Sequence, residues 1–265
     1  MLHLLSIEFS KVKNYRTFWV MLAMYAVLVP IGIYAVSTID FPLFKGSSLL
    51  KFPVTWNFVT YMASWFNLLL GILVVLIVCN DFNYRTYKQN VIDGLSKNQV
   101  IISKFLLITT IAIAVTAYTI ILGVIFGSIH SDSMDLFEEF HYVGIYFIQT
   151  IGYFTLAFLI SILLKRPALS IIVFALMFIL KFIFYLGLGE ELSQYFPVNL
   201  ISDLTPFPMQ HLIELLKMNP DPAAQAEAQA KLDLIISQSV RTSFALVYIT
   251  IFVLLSNFIL RKRDL

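Results

Sequence analysis

Charge and cysteine are both scarce in this sequence. Of its 265 residues, 13% are charged, about half of the roughly 25% typical of soluble domains. Hydrophobic residues make up 59% of the chain and the mean hydropathy is +0.85. A water-soluble fold of this length could not bury that much apolar surface. Because Cys79 is the only cysteine, an internal disulfide and a paired-cysteine metal or redox site are excluded.

Catalytic and nucleotide-binding motifs are also missing. The sequence has no G-x-x-x-x-G-K-[S/T], so it lacks a phosphate-binding loop for ATP. It has no HExxH motif, and its four histidines are scattered, so we predict no catalytic residue and no metal site. The net charge of +2 is too close to balance to indicate a nucleic-acid partner. We therefore expect neither enzymatic activity nor a cofactor bound by this chain.

Six apolar stretches are long enough to cross a bilayer. A hydrocarbon core about 30 Å thick requires about 20 residues of helix, and backbone groups in lipid must be hydrogen-bonded within the segment. The stretches are 17–38, 57–79, 105–127, 142–164, 169–189 and 243–260. The sequence therefore predicts an all-α integral membrane protein with one transmembrane domain over residues 1–265.

Lysine and arginine lie mainly on one side of these spans. With the N-terminus inside, twelve of the 18 lie in segments that face the cytoplasm and five in segments that face outward, while Lys181 lies within the fifth span. Basic residues are enriched in cytoplasmic loops of membrane proteins. We therefore predict that both termini are cytoplasmic and that the bilayer is the cell's inner (cytoplasmic) membrane.

Three segments outside the spans have patterns of their own. Residues 1–16 carry apolar side chains at spacings of three and four, which predicts an amphipathic helix on the inner membrane surface. The inner loop 80–104 is longer than a helical hairpin needs, and Ser96 is well placed as the N-cap of a helix that continues into the third span. The outer segment 190–242 contains five prolines, which predicts short extracellular helices, one at 210–217 and one from 222 to about 239.

Polar residues also occur inside the predicted spans. The candidates for lining a substrate path are Thr60, Ser64, Asn67, Gly71, Gln149 and Lys181. Small and polar residues also hold helices together without any transport role, so both interpretations stay open. A charge as deep as that of Lys181 costs about 2.5–3.5 kcal/mol, and no acidic residue lies in any span. Lys181 therefore faces a wet cavity or, in a shallower helix, extends outward to Glu190.

The loop after the second span carries the sequence's most specific pattern. An acidic residue is followed by a polar-aromatic group, by an apolar-x-Gly-Leu-Ser turn, and by basic and amide residues. The residues are Asp81, Arg85, Thr86, Tyr87, Ile92, Asp93, Gly94, Leu95, Ser96 and Lys97, with Lys104 before the third span. This loop resembles the coupling segment of ABC-2 type permeases, the membrane subunits of exporters of the type V ABC fold. The family more often has Gly-Thr at the position of Arg85-Thr86 and Pro at that of Lys97.

The resemblance extends to the six spans, the initial surface helix and the basic end of the chain. It implies that residues 81–97 dock on a separate ATP-binding subunit, which binds ATP and magnesium, and that a second permease chain lies alongside. It further implies an exporter whose second and fifth helices line the path, and the sparse charge favours an amphipathic cargo. Two alternatives remain, a membrane scaffold or assembly protein without transport and, with less support, a secondary transporter.

Overall fold

Every regular element is helical in the parts of the chain that the computed structural model describes, which are residues 2–39, 46–84, 86–131, 136–206 and 237–262. The helices, in chain order, are α1 (Leu2–Lys13), α2 (Arg16–Ser37), α3 (Thr55–Trp65), α4 (Asn67–Asn83), α5 (Thr86–Ile92), α6 (Lys97–His130), α7 (His141–Leu164), α8 (Pro167–Ser193), α9 (Pro197–Ser202) and α10 (Gln238–Lys262). A short 3-10 helix, Gly46–Leu50, precedes α3. The predicted all-α fold is confirmed over these residues.

Five helices are long and apolar enough to cross a membrane. They are α2, α6, α7, α10 and the part of α8 from Pro167 to Phe184. Each coincides with a predicted span, and the chain is a multi-pass membrane protein. At 34 residues α6 is about 51 Å long, so it extends well beyond a hydrocarbon core of about 30 Å.

The stretch predicted as one second span, 57–79, is two helices instead. Helices α3 and α4 meet at Phe66 with a bend of 45°. At the bend the N–H of Phe66 bonds the carbonyl of Ala63 at 3.1 Å, a tight three-residue spacing. The hydroxyls of Thr60 and Ser64 bond carbonyls of their own helix just before it, an arrangement that bends helices.

Helix α7 lies at the centre of the bundle. Helices α3, α4, α6, α8 and α10 all pack against it. In its most apolar stretch 72% of the residues are buried, whereas the corresponding fraction is 11% in α8 and 22% in α2 and α10. The outward faces of those three helices carry large apolar side chains, as expected of surfaces that contact lipid.

The segment after α8 folds back into the bundle. Helix α8 breaks at Gly189, whose φ of 73° is a conformation that favours glycine. The short helix α9 then places Ile201 against Gly152, where an added Cβ would lie 3.0 Å from its side chain. Gly152 is about 16 Å along α7 from its first residue. The start of the predicted extracellular segment, 190–242, is therefore packed among the helices. The predicted helices at 210–217 and 222–239 lie outside the described residues, apart from the last three positions of the second.

Candidate functional site

A cavity of about 730 Å³ opens among α3, α7, α8, α9 and α10. Its charged lining residues are Lys181 on α8, Asp203 just after α9 and Arg241 on α10. Aromatic side chains form much of the remaining wall, including Trp65 and Phe178. The volume falls within the range of small-molecule binding sites.

Lys181 finds its carboxylate on the segment that folds back. Its Nζ lies 2.5 Å from Oδ1 of Asp203 and 2.6 Å from Oγ of Ser202. The sequence left two alternatives for Lys181, a cavity or a position near Glu190. The arrangement matches the cavity, because the Lys181 side chain lines its wall. Its partner is Asp203, which the sequence had not suggested.

Arg241 is the second cation of the cavity. It belongs to the first turn of α10 and is only 7% exposed. Its Nη1 donates to the backbone carbonyl of Asp203 at 2.7 Å. Its Nε is buried and has no hydrogen-bond partner among the described residues. This guanidinium is therefore bonded to a neutral group, with donor capacity left over.

The six predicted path residues separate into two groups. Ser64 and Lys181 line the cavity. The other four are buried in this single chain: Thr60 bonds carbonyls of its own helix, Asn67 lies 3.3 Å from Thr150, Gly71 packs on Phe174, and Gln149 is fully buried. For Asn67, Gly71 and Gln149, the helix-joining interpretation describes the contacts observed.

Gln149 holds the folded-back segment in place. Its Nε2 donates to the carbonyls of Ile201 and Ser202 at 3.0 and 2.9 Å, and its Oε1 accepts the hydroxyl of Thr205 at 2.8 Å. Carbonyls at a helix end have no partner within the helix, so this one side chain satisfies the end of α9 inside the bundle. Asp203 lies between the residues that Gln149 holds and reaches Lys181 as a result.

The predicted coupling segment begins with buried residues. Asp81 accepts the hydroxyl of Thr86 at 2.9 Å, and the ring of Tyr87 stacks on Phe82 with centroids 5.6 Å apart. Burial and the charge of Asp81 raise the pKa of the Tyr87 hydroxyl above its ordinary value. These contacts fix α5 against the end of α4. Arg85 lies outside the described residues.

The later part of the segment is an exposed turn. Ile92 is 82% exposed, and Asp93 and Gly94 are exposed as well. Gly94 has a φ of 99° with nothing within 4 Å of an added Cβ, so only its backbone conformation favours glycine there. The predicted N-cap is confirmed: Ser96 Oγ accepts the N–H of Gln99, whose side chain accepts the N–H of Ser96. Leu95 and Lys97 are half-buried around this cap.

A buried ion-pair network includes residues on both sides of this turn in the chain, Asp81 before it and Lys104 after it. Lys104 forms ion pairs with Glu8 of α1 and Asp81 of α4, and all three residues are at most 7% exposed. Lys11 adds a second cation 3.0 Å from Glu8. The network joins the N-terminal helix, the end of α4 and the start of α6. Its formal charges cancel.

Sequence reasoning missed Glu8, Asp203 and Arg241. Glu8 lies on the side of α1 that faces the bundle, where it is only 1% exposed. Glu8 and Asp203 share one signal: each is an isolated acid in an otherwise apolar stretch. Such an acid is costly to bury alone, so each indicates a buried cation nearby, although the sequence does not show which cation it pairs with.

No group of three or more potential metal ligands occurs in the described part of the chain. The fold and the cavity define a multi-pass helical membrane protein with a charged, aromatic-lined cavity. Residues 19–265 match the family described as "Protein of unknown function (DUF2705)". Because this match covers most of the chain, the protein belongs to that family. No curated protein matches it.

Proposed function

We propose that this chain is the transmembrane permease subunit of an ABC exporter, driven by ATP hydrolysis on a separate subunit. A second permease chain completes the membrane part. Six spans cross the cytoplasmic membrane, with α3 and α4 together as the second, and both termini are cytoplasmic. The resemblance of residues 81–97 to an ABC-2 coupling segment and the bias of basic residues toward one side support this proposal.

The observation that carries the proposal is an exposed turn on a rigid base. Ile92 to Gly94 are presented to solvent, while Asp81 and Tyr87 fix the preceding helix to α4. Ile92 lies within the segment that resembles an ABC-2 coupling segment, and its apolar side chain is 82% exposed and free to contact another protein. Because the chain has no phosphate-binding loop of its own, an ATP-binding subunit is the partner that the resemblance implies.

The contacts also suggest how force on this turn would reach the cavity. The Lys104 network joins α4 to α1 and α6, so these three helix ends would move as one body. Above them the bend at Phe66 separates α4 from α3, which carries the cavity residues Ser64 and Trp65. Closure of the ATP-binding subunits would therefore rotate α4 about this bend and change the shape of the cavity, a hinge-type transition.

The test is retention of an ATP-binding chain during purification from native membranes. The Ile92→Glu variant places a charge on the exposed turn, and Asn14→Glu is its control, an exposed residue between α1 and α2. We expect wild type and Asn14→Glu to carry a stoichiometric ATP-hydrolysing chain with a phosphate-binding loop, and Ile92→Glu to lose most of it.

Two results would contradict the proposal. Wild-type protein that purifies without any nucleotide-hydrolysing chain would favour the scaffold alternative. Equal retention by Ile92→Glu and Asn14→Glu would mean that the turn is not the docking surface.

A further inference from the structure

The described lining of the cavity contains more positive than negative charge. Lys181 and Arg241 are its cations and Asp203 is its one acid. The Asp203 carboxylate is bonded to Lys181, and among the described residues Arg241 donates to the backbone carbonyl of Asp203 rather than to its carboxylate. One positive charge of the described lining is therefore left without a bonded carboxylate.

That charge belongs to the most deeply buried of the three. Arg241 is 7% exposed, and its Nε is buried without a hydrogen-bond partner among the described residues. A buried charged group is costly unless it is paired and hydrogen-bonded. The planar guanidinium matches the oxygens of phosphate and carboxylate groups. The group that would complete this site is an anion.

The rest of the wall favours an apolar attachment to that anion. Tyr61 and Trp65 make an edge-to-face pair at 5.9 Å, and Tyr153 and Phe178 stack at 5.3 Å. Trp65 is 67% exposed, so the aromatic wall continues from the cavity to the outer surface of the bundle. An alkyl chain could leave the cavity along this side into the bilayer.

We propose that the cavity binds the anionic headgroup, phosphate or carboxylate, of an amphiphile whose alkyl chain lies along Trp65. Arg241 contacts the headgroup oxygens beside the ion pair of Lys181 and Asp203. Binding itself does not depend on transport. Only the identification of this amphiphile as the exported cargo rests on the proposed function.

The test uses the full chain in micelles of an uncharged maltoside detergent. The probe is a dibrominated alkyl phosphate, which quenches the fluorescence of Trp65 on binding; Trp65→Phe identifies that component of the signal. Unlabelled competitors of equal chain length carry a phosphate, carboxylate or trimethylammonium group, and inorganic phosphate is tested alone. We expect saturable quenching, displacement by both anionic amphiphiles, and no displacement by the cationic one.

Three variants separate charge recognition from a structural role. Arg241→Gln removes a charge-assisted hydrogen bond and should weaken alkyl phosphate binding about tenfold or more. Asp203→Asn removes the competing carboxylate and should strengthen it several-fold, the opposite of what general damage would do. Arg261→Gln makes the same charge change at the other, exposed end of α10 and should leave the affinity unchanged.

The competitors with different headgroups test anion recognition in the wild-type protein, so this test does not depend on how well a variant folds. Equal displacement by the anionic and cationic amphiphiles would overturn the proposal, as would affinities unaltered in both folded cavity variants. If inorganic phosphate displaced the probe as strongly as alkyl phosphate does, the ligand of the site would be a free anion and not an amphiphile. An amphiphile that binds but never stimulates ATP hydrolysis in the purified complex would leave the site intact and remove its role in export.

Discussion

Lys104 bonds at once to Glu8 of the first helix and to Asp81 at the end of α4, although 96 and 23 residues separate it from them. Each ion is almost completely buried, and none could remain there without its partners. The N-terminal helix is therefore fixed to one end of the bundle, packed against α6, and the exposed turn at Ile92 to Gly94 lies in the chain between the network residues Asp81 and Lys104.

Replacing this lysine should be among the most damaging single changes in the chain. Lys104→Met leaves two carboxylates buried without their shared cation, and breaking a buried pair in this way costs about 3–5 kcal/mol. We expect a large drop in the midpoint of thermal unfolding in detergent. Lys11→Met, which removes the more exposed partner of Glu8, should cost less than about 1 kcal/mol.

A second comparison identifies the cause. The triple variant Glu8→Gln, Asp81→Asn, Lys104→Met has no buried charge in the network and should recover most of the stability lost in Lys104→Met. A triple variant no more stable than the single one would show that packing, rather than unpaired charge, governs this region.

Gln149 should be required for the cavity although it does not line it. Gln149→Leu leaves the carbonyls of Ile201 and Ser202 and the hydroxyl of Thr205 without this partner, and each buried group left unsatisfied costs about 1–3 kcal/mol. We expect a loss of more than about 2 kcal/mol in stability, together with protease access to residues 197–206. Limited proteolysis combined with thermal unfolding measures both effects.

Thr155→Val is the matched control for that change. Thr155 is buried on the same helix, but the one partner of its hydroxyl among the described residues is the carbonyl of Gly152, three residues earlier. Its loss should cost less than about 1 kcal/mol and leave the segment protected. Equal effects of the two substitutions would mean that the folded-back segment is held by apolar packing alone.

These residues show where the sequence suffices and where it does not. The spans follow from uninterrupted apolar runs, and the cap at Ser96 follows from contacts three residues apart, so both could be predicted. The acidic partner of Lys181 could not, because it lies on a segment brought back into the bundle by Gln149. That contact joins positions 52 and 53 residues apart, and no local pattern indicates it.

The bend at Phe66 has the same explanation. The run 57–79 contains no proline, so its hydropathy indicates one continuous helix. At the break, the amide of Asn67 reaches Thr150 of α7 at 3.3 Å, and the hydroxyl of Ser64 bonds a carbonyl within α3. Because these are tertiary contacts and weak local preferences, only the folded chain shows that the second span is divided.

Gly71 should not tolerate even a methyl group. A Cβ built there would lie 2.3 Å from Cζ of Phe174, a fully buried ring, so α4 and α8 could no longer approach as closely. We expect Gly71→Ala to destabilise the protein by about 1–3 kcal/mol. Gly144→Ala, on the exposed side of α7 with nothing within 4 Å, should be neutral or stabilise by up to about 1 kcal/mol.

A smaller side chain at position 174 should relieve this clash. Adding Phe174→Leu to Gly71→Ala makes room for the new methyl group, and the pair should be more stable than the sum of the two single changes predicts. Strict additivity, measured from the thermal unfolding of all four proteins, would exclude a direct clash between these residues.

The orientation of the chain can be tested with single cysteines. Native Cys79 is buried beside Ser170, 3.6 Å from its hydroxyl, and Cys79→Ala gives a background without thiols. In that background Asp93→Cys tests the exposed coupling turn, and Ser239→Cys tests the exposed start of α10. The excess of basic residues on the side of the turn predicts that it faces the cytoplasm.

A membrane-impermeant maleimide should therefore label Ser239→Cys in intact cells or spheroplasts, and Asp93→Cys only after the membrane is permeabilised. Both positions are exposed in the folded chain, so a difference in labelling reports the membrane side rather than burial. Labelling of Asp93→Cys in intact cells would place the turn outside, where no ATP-hydrolysing subunit could reach it. The reversed pattern would contradict the orientation and, with it, the proposed coupling of this chain to ATP hydrolysis.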